Sequence, residues 1–152
     1  MDKISSIIAR IQGQRVYIDT NIFVYFLEQH EQYFDVVLPF FQLFNEGRSL
    51  AYTGDAAVAE VLYKPYQVDD LLRVNEFKSF FDDDEFITVL PHTTKVFELT
   101  AQVSPKHKMK MIDALHYSTA IMAGCSFFLT NDAGFVSSER IEVIQLGELV
   151  WE

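Results

Sequence analysis

Short apolar runs that each end in polar residues and lead into a helix-patterned stretch constrain this chain more than any other feature. The first is Arg15-Val-Tyr-Ile18, β-branched and aromatic, closed by Asp19-Thr-Asn21. It reads as a buried strand followed by capping residues for a helix over Ile22–Leu27. The pattern then recurs. A helix is expected from about Gln32 to Asn45, with Gly47 just past its end, and a strand over Leu50–Thr53. Asp55 is placed to cap a helix over Ala56–Tyr63, which Pro65 should end. Helical spacing follows over Val68–Phe81, then a strand over Glu85–Leu90 and a helix from Thr93 or Thr94 to about Val103. A helix over Met111–Gly124, a strand over Ser126–Leu129 and a last strand over Ile141–Ile144 complete the pattern. Strands alternating with helices predict an α/β fold with a parallel sheet covered on both faces. Ligands bind such sheets outside the carboxyl ends of the strands, so chemistry is expected in the residues that follow each strand.

A chain of 152 residues fits one domain, expected over 1–152, and it has no repeat or linker-like tract. Its 49% hydrophobic share excludes a disordered chain. The single cysteine, Cys125, excludes an intrachain disulfide and any multi-cysteine metal site, and a cytoplasmic setting is expected. The opening MDKISSIIARIQGQR lacks the apolar core and cleavage site of a secretory signal, and no membrane span is expected. With a net charge of −10, bulk charge does not attract nucleic acid, so any such contact needs a local basic patch or a bound metal.

Four acids stand at or just beyond strand ends. Asp19 follows the first strand directly, and Asp132 follows the Ser126–Leu129 strand after two polar residues. Glu60 lies one and a half turns into the helix after the second strand, and Asp113 near the start of the Met111–Gly124 helix. Glu60 and Asp113 have apolar sequence neighbours on both sides, and acids so placed are costly to bury unless paired or metal-bound. Carboxylates converging at one sheet edge repel, and a divalent cation relieves them. Oxygen-only donors favour Mg²⁺ or Mn²⁺ over zinc. Each acid also has an ordinary reading: Asp19 as a helix cap, Asp132 as a turn residue, Glu60 facing solvent, Asp113 as a first-turn acid. Their joint placement at one edge favours a common site.

Four segments together resemble the motifs of PIN-domain nucleases, in family order. They are Val16-Tyr-Ile-Asp19-Thr-Asn21 and its helix, Thr53-Gly-Asp-Ala-Ala-Val-Ala-Glu60, Ile112-Asp113-Ala-Leu-His-Tyr-Ser-Thr-Ala, and Phe127-Phe-Leu-Thr130-Asn131-Asp132-Ala-Gly. Within that family the chain is most similar to VapC-type toxins of toxin–antitoxin pairs. The resemblance implies a three-layer α/β/α PIN-like fold with a central parallel sheet of four to five strands. It implies a Mg²⁺- or Mn²⁺-dependent endoribonuclease acting on an RNA substrate, a homodimer, and a small antitoxin partner. It carries over Asp19, Glu60, Asp113 and Asp132 as the catalytic and metal-binding acids, with Asn21, Thr130 and Asn131 in support. Asp19 and Asp113 are expected to hold the metal, Asp132 to bind it directly or through water, and Glu60 to orient its water. One departure is Gly54, where many relatives have Ser or Thr.

Lys106, Lys108 and Lys110 precede Asp113 and are candidates to grip RNA phosphates. His116, one turn beyond Asp113, is expected to pack or hydrogen-bond locally rather than act as a base. The run Asp82–Glu85 reads as a solvated loop. The apolar helices Gln32–Asn45 and Val68–Phe81 are candidates for an exposed partner surface. Two other readings compete. One is a catalytically inactive PIN-like module that binds RNA or protein. The other is a phosphotransferase of the haloacid dehalogenase type, which needs a second Asp where Asn21 stands.

Overall fold

The computed structural model describes residues 2–82 and 86–150. Five strands, β1 (Arg15–Ile18), β2 (Leu50–Gly54), β3 (Thr88–Leu90), β4 (Phe127–Thr130) and β5 (Glu142–Gln145), form one sheet in the order β3-β2-β1-β4-β5. Every pairing is parallel, and Val16 of the central strand sits between Ala51 and Phe127. Among the described residues seven helices precede or connect them: α1 (Lys3–Ile11), α2 (Thr20–Leu27), α3 (Phe34–Asn45), α4 (Asp55–Gln67), α5 (Leu71–Phe81), α6 (Thr94–His107) and α7 (Met111–Met122). A short 3₁₀ turn, Leu146–Leu149, follows β5.

Strand alternation divides the core in two. Val16, Ile18, Phe127 and Leu129 face a core built with α1 to α5, while Tyr17 and Phe128 between them face a second core under α6 and α7. Because both faces are covered, β1 and β4 read as continuous apolar runs rather than alternating ones. This is the α/β, helix-covered parallel sheet expected from the alternation of elements. Among the described residues no helix is long and apolar enough to cross a membrane.

Several element ends differ from the sequence expectation. The helix α1 was not anticipated; Asp2 caps it by accepting from the Ser5 backbone N–H at 2.7 Å. Pro65 does not end α4, which continues to Gln67. A proline so near the end of a helix removes one hydrogen bond, and the Pro65 carbonyl still accepts from Asp70 N at 2.8 Å. In the same way α6 runs past Val103 and through Pro105 to His107. The strand β3 is shorter than Glu85–Leu90, and α5 begins at Leu71, where Asp70 caps it. Of the run Asp82–Glu85 only Asp82 lies within the described residues.

The expected partner surface also needs correction. In α3, Val36, Val37, Phe40, Phe41, Leu43 and Phe44 are all buried, so this helix spends its apolar face on the core. Exposed apolar side chains gather instead at the α4–α5 junction, where Tyr63, Tyr66, Val68, Leu71 and Leu72 are each at least half exposed.

Candidate active site

The carboxyl ends of β1, β2 and β4 meet at one edge of the sheet, and the acids are carried there by the elements that leave it. Asp19 is the residue between β1 and α2. It is nearly buried and serves as the N-cap, its Oδ1 accepting from Thr20 N at 2.8 Å. The fully buried Thr130, at the end of β4, donates its hydroxyl to Asp19 Oδ2 at 2.6 Å. The same hydroxyl oxygen accepts from the Asp132 backbone N–H at 3.0 Å, so Thr130 ties the two acid-bearing loops together. Asp132 then accepts from Gly134 N at 2.8 Å. A Cβ on Gly134 would stand 3.2 Å from Asp132 Oδ1 and 3.9 Å from Asp113 Oδ2, so both carboxylates border the same small volume.

Electrostatics agrees with this proximity. Burial raises the Asp113 pKa above the ordinary carboxylate value, and the charges of Asp132 and Asp19 raise it further. Burial likewise raises Asp19, although the Thr130 hydrogen bond pulls the other way. Glu60 behaves differently. Burial pushes its pKa up, but hydrogen bonds and charge from His116, with help from Thr20, outweigh burial and hold it below the ordinary value.

Glu60 Oε1 accepts from Thr20 Oγ1 at 2.9 Å and from His116 Nε2 at 2.7 Å. A carboxylate only accepts, so His116 Nε2 carries the hydrogen, and Tyr17 donates its hydroxyl to His116 Nδ1 at 2.7 Å. His116 is therefore buried with both ring nitrogens occupied, but by partners 56 and 99 residues away rather than by the local hydrogen bond expected from the sequence.

The Gly54 departure has a structural answer. Gly54 is the N-cap of α4 and offers no side-chain cap, but His92, just beyond β3, fills the space. Its Nε2 accepts from Ala56 N at 3.0 Å, and its Nδ1–H donates to Thr119 Oγ1 at 2.8 Å. That assignment follows because Thr119 spends its own hydrogen on the Leu115 carbonyl. A Cβ on Gly54 would come within 2.3 Å of His92 Cε1 and 2.7 Å of Tyr17 Oη. Glycine is needed here for space, since its φ of −116° is open to any residue. Sequence reasoning missed His92, Thr20 and Tyr17 and expected Asp55 to cap this helix, where the structure has Gly54; the one visible signal was a glycine where many relatives have Ser or Thr.

The supporting residues separate. Asn21 Nδ2 lies 3.5 Å from Asp19 Oδ2, and its buried Oδ1 has no hydrogen-bond partner. Asn131 points elsewhere: its Nδ2 donates to Tyr25 Oη and its Oδ1 accepts from Gly147 N, clamping α2 to the 3₁₀ turn. Among the lysines, the charge of Lys110 favours ionised Asp113, Lys108 closes α6 in the left-handed conformation, and Lys106 lines a separate cleft.

Among the described residues, no three Asp, Glu, His or Cys side chains form a ready-made metal cage. The donor chemistry nevertheless suits a hard cation: Asp19, Asp113 and Asp132 offer only oxygens, and Asn21, whose amide nitrogen lies 3.5 Å from Asp19, has a buried oxygen without a partner. Like-charged carboxylates facing one volume are relieved by divalent charge.

A PIN-domain family model matches residues 16–139. No curated protein matches the chain at a significant level. Among solved structures, the chain is similar to VapBC2 from Rickettsia felis bound to a DNA fragment from its promoter. The identity is 15% and the TM-score 0.69, over 86% of this chain and 98% of that one. It is also similar to FitAcB from Neisseria gonorrhoeae (16%, TM-score 0.64, 88% and 99%). A third is VapC20 of Mycobacterium tuberculosis, described as a sarcin–ricin-loop-cleaving toxin (10%, TM-score 0.61, 74% and 86%). At these identities the likeness is one of fold.

Proposed function

Because the chain belongs to the PIN-domain family, we propose that it is a Mg²⁺- or Mn²⁺-dependent endoribonuclease and the toxin of a toxin–antitoxin pair. One observation carries this reading: Asp113 and Asp132 border a common volume, and the Thr130 hydroxyl ties Asp19 to the Asp132 backbone. In this reading Asp19, Asp113 and Asp132 hold the metal. When bound, a divalent cation supplies hydroxide near neutral pH and relieves charge on the phosphate.

The chain's own residues do the rest. Thr130 fixes the rotamer of Asp19, and Asn21 supports it from α2. Glu60, locked by Thr20 and His116, keeps its carboxylate ionised and its Oε2 available to orient a water. Lys110, beside Asp113, offers a positive charge to an approaching phosphate. The toxin role brings with it a small antitoxin, a homodimer and a cytoplasmic setting. The exposed apolar side chains at the α4–α5 junction are the surface proposed for the antitoxin. Solved neighbours such as the toxin–antitoxin complex from Klebsiella pneumoniae support that partner class.

The test is RNA cleavage with Mn²⁺, Mg²⁺ or EDTA. Asp19→Asn and Asp113→Asn should each lower the rate by at least about a hundredfold, the scale of losing one charge-stabilising group. Equal cleavage by parent and both variants removes the metal assignment, and RNA left uncut by the parent with either metal favours the inactive module.

A further inference from the structure

Asp113, Tyr117 and Ile121 recur every fourth residue along α7 and share one face of that helix. The segment from Asp132 to Arg140 runs alongside it. At one end Asp132 stands with Asp113 around Gly134; in the middle Tyr117 Oη donates to the Val136 carbonyl at 2.8 Å. Between Tyr117, whose ring lies 6.0 Å from that of His107, and Ile121, a cleft of about 460 Å³ is lined by Ser137–Arg140 and by Lys106 and His107 of α6.

Among the described residues, this cleft holds the one arginine whose side chain makes neither an ion pair nor a hydrogen bond. Arg10 pairs with Glu142, Arg48 with Glu46, and Arg73 with Glu28 and Asp70, while Arg15 donates to the Ala123 carbonyl. Among the described residues, Arg140 has no ion-pair partner, and Lys106 beside it shares that state with Lys64, Lys78, Lys95, Lys108 and Lys110, while Glu139 lies in the same lining. Ser137 Oγ accepts from Val143 N and keeps its own hydrogen to donate.

The geometry points to this cleft as a binding site for the backbone phosphates of an RNA strand that extends from the acidic pocket along α7. This rests on the ribonuclease reading. The four to eight residues of helix from Asp113 to Tyr117 and Ile121 span about 6–12 Å at 1.5 Å each. At about 3.4 Å per stacked nucleotide, that is about two to four nucleotides from the cut. A guanidinium, an ammonium and a hydroxyl are the donors a phosphodiester oxygen takes, and they contact the backbone without reading sequence. The arrangement also answers how a chain of net charge −10 holds a polyanion: the attraction is set beside the site and not spread over the surface.

Fluorescence anisotropy of a labelled single-stranded RNA of mixed sequence, in EDTA, tests it. The double variant Lys106→Ala/Arg140→Ala should weaken binding about tenfold. It should also flatten the log–log salt slope by about 1.4, roughly 0.7 for each phosphate lost. Glu139→Gln should tighten binding. Unchanged affinity and slope in the double variant overturn the proposal, as does a parent that binds no RNA. Cleavage in Mn²⁺ is scored separately. If the parent cuts, the double variant should raise KM and leave kcat unchanged. If the parent does not cut, the ribonuclease reading fails, while the anisotropy still decides whether the cleft holds RNA.

Discussion

On one face of the sheet Phe23, Phe26, Phe41, Phe80 and Phe86 pack ring against ring; on the other, a comparable depth holds His116, Ser118, Thr119 and Thr100 among Tyr17, Tyr117 and Phe128. The first face is held by burial, which has no direction and tolerates a range of shapes. The second is threaded with hydrogen bonds, which fix where each group points. The two lines that orient Glu60, from Tyr17 through His116 and from Thr119 through His92 to the start of α4, lie in the second face. One side of the sheet is held mainly by apolar burial and carries Thr20 and Glu60 on α2 and α4, and the other adds the buried hydrogen bonds that hold Glu60 from behind.

The sharpest way to break that division is to remove a ring. Phe41 contacts Phe23, Phe26, Phe44, Phe80 and Phe86. Phe41→Ala should cost about 3–5 kcal/mol. At roughly 2–4 °C per kcal/mol, thermal denaturation followed by circular dichroism should show a fall of about 6–20 °C. Metal-dependent cleavage per folded molecule should be unchanged; a matching loss of cleavage would mean the two faces are not separable.

The polar face makes a smaller and more specific prediction. His92→Ala strands the Ala56 N–H and should cost about 1–2 kcal/mol. Gly54→Ser forces a side chain against His92 and should cost about 1–3 kcal/mol. Combined, the two should cost less than their sum by at least about 0.5 kcal/mol, because the serine then has room to cap α4. The rescue is partial, since Tyr17 Oη stands only 2.7 Å from a Cβ at that position. Strict additivity in denaturant titrations would sink the view that His92 replaces a capping hydroxyl.

The smallest effect separates two acids by sign. Asp113 has a raised pKa, so its ionisation opposes folding above its ordinary value of 3.8. With solvent screening, Asp113→Asn should raise Tm at pH 7 by roughly 1–3 °C. That gain should vanish as pH falls below 3.8, where the carboxyl is protonated folded or unfolded. Glu60 is depressed, so its contribution is present above its ordinary 4.5 and is lost as pH falls through the lower folded value. Glu60→Gln should therefore lower Tm at pH 7. Melting curves across pH that move both variants the same way would contradict the different surroundings assigned to these acids.

Strand and helix positions were readable because their periodicities are local: the apolar stretches Val16–Ile18 of β1 and Phe127–Leu129 of β4 run directly into Asp19 and Thr130-Asn131-Asp132. Pro65 misled because a proline ends a helix only where the lost bond matters, and near a carboxyl end it does not; α6 carries Pro105 in the same way. The burial of α3 was not readable, because an apolar helix looks the same from its sequence whether it meets the core or a partner.

The chain's own order of residues therefore determined which acids leave which strands and that those strands lie parallel. Spacing along a chain dictates local geometry, and a parallel sheet carries strand ends to one edge. Folding alone settled the pairings across long separations: Thr130 on Asp19 across 111 residues, His116 on Glu60 across 56, and His92 in the space Gly54 leaves empty. Those contacts depend on how separate elements stack, and side-chain packing at that distance leaves no periodic trace to read beforehand.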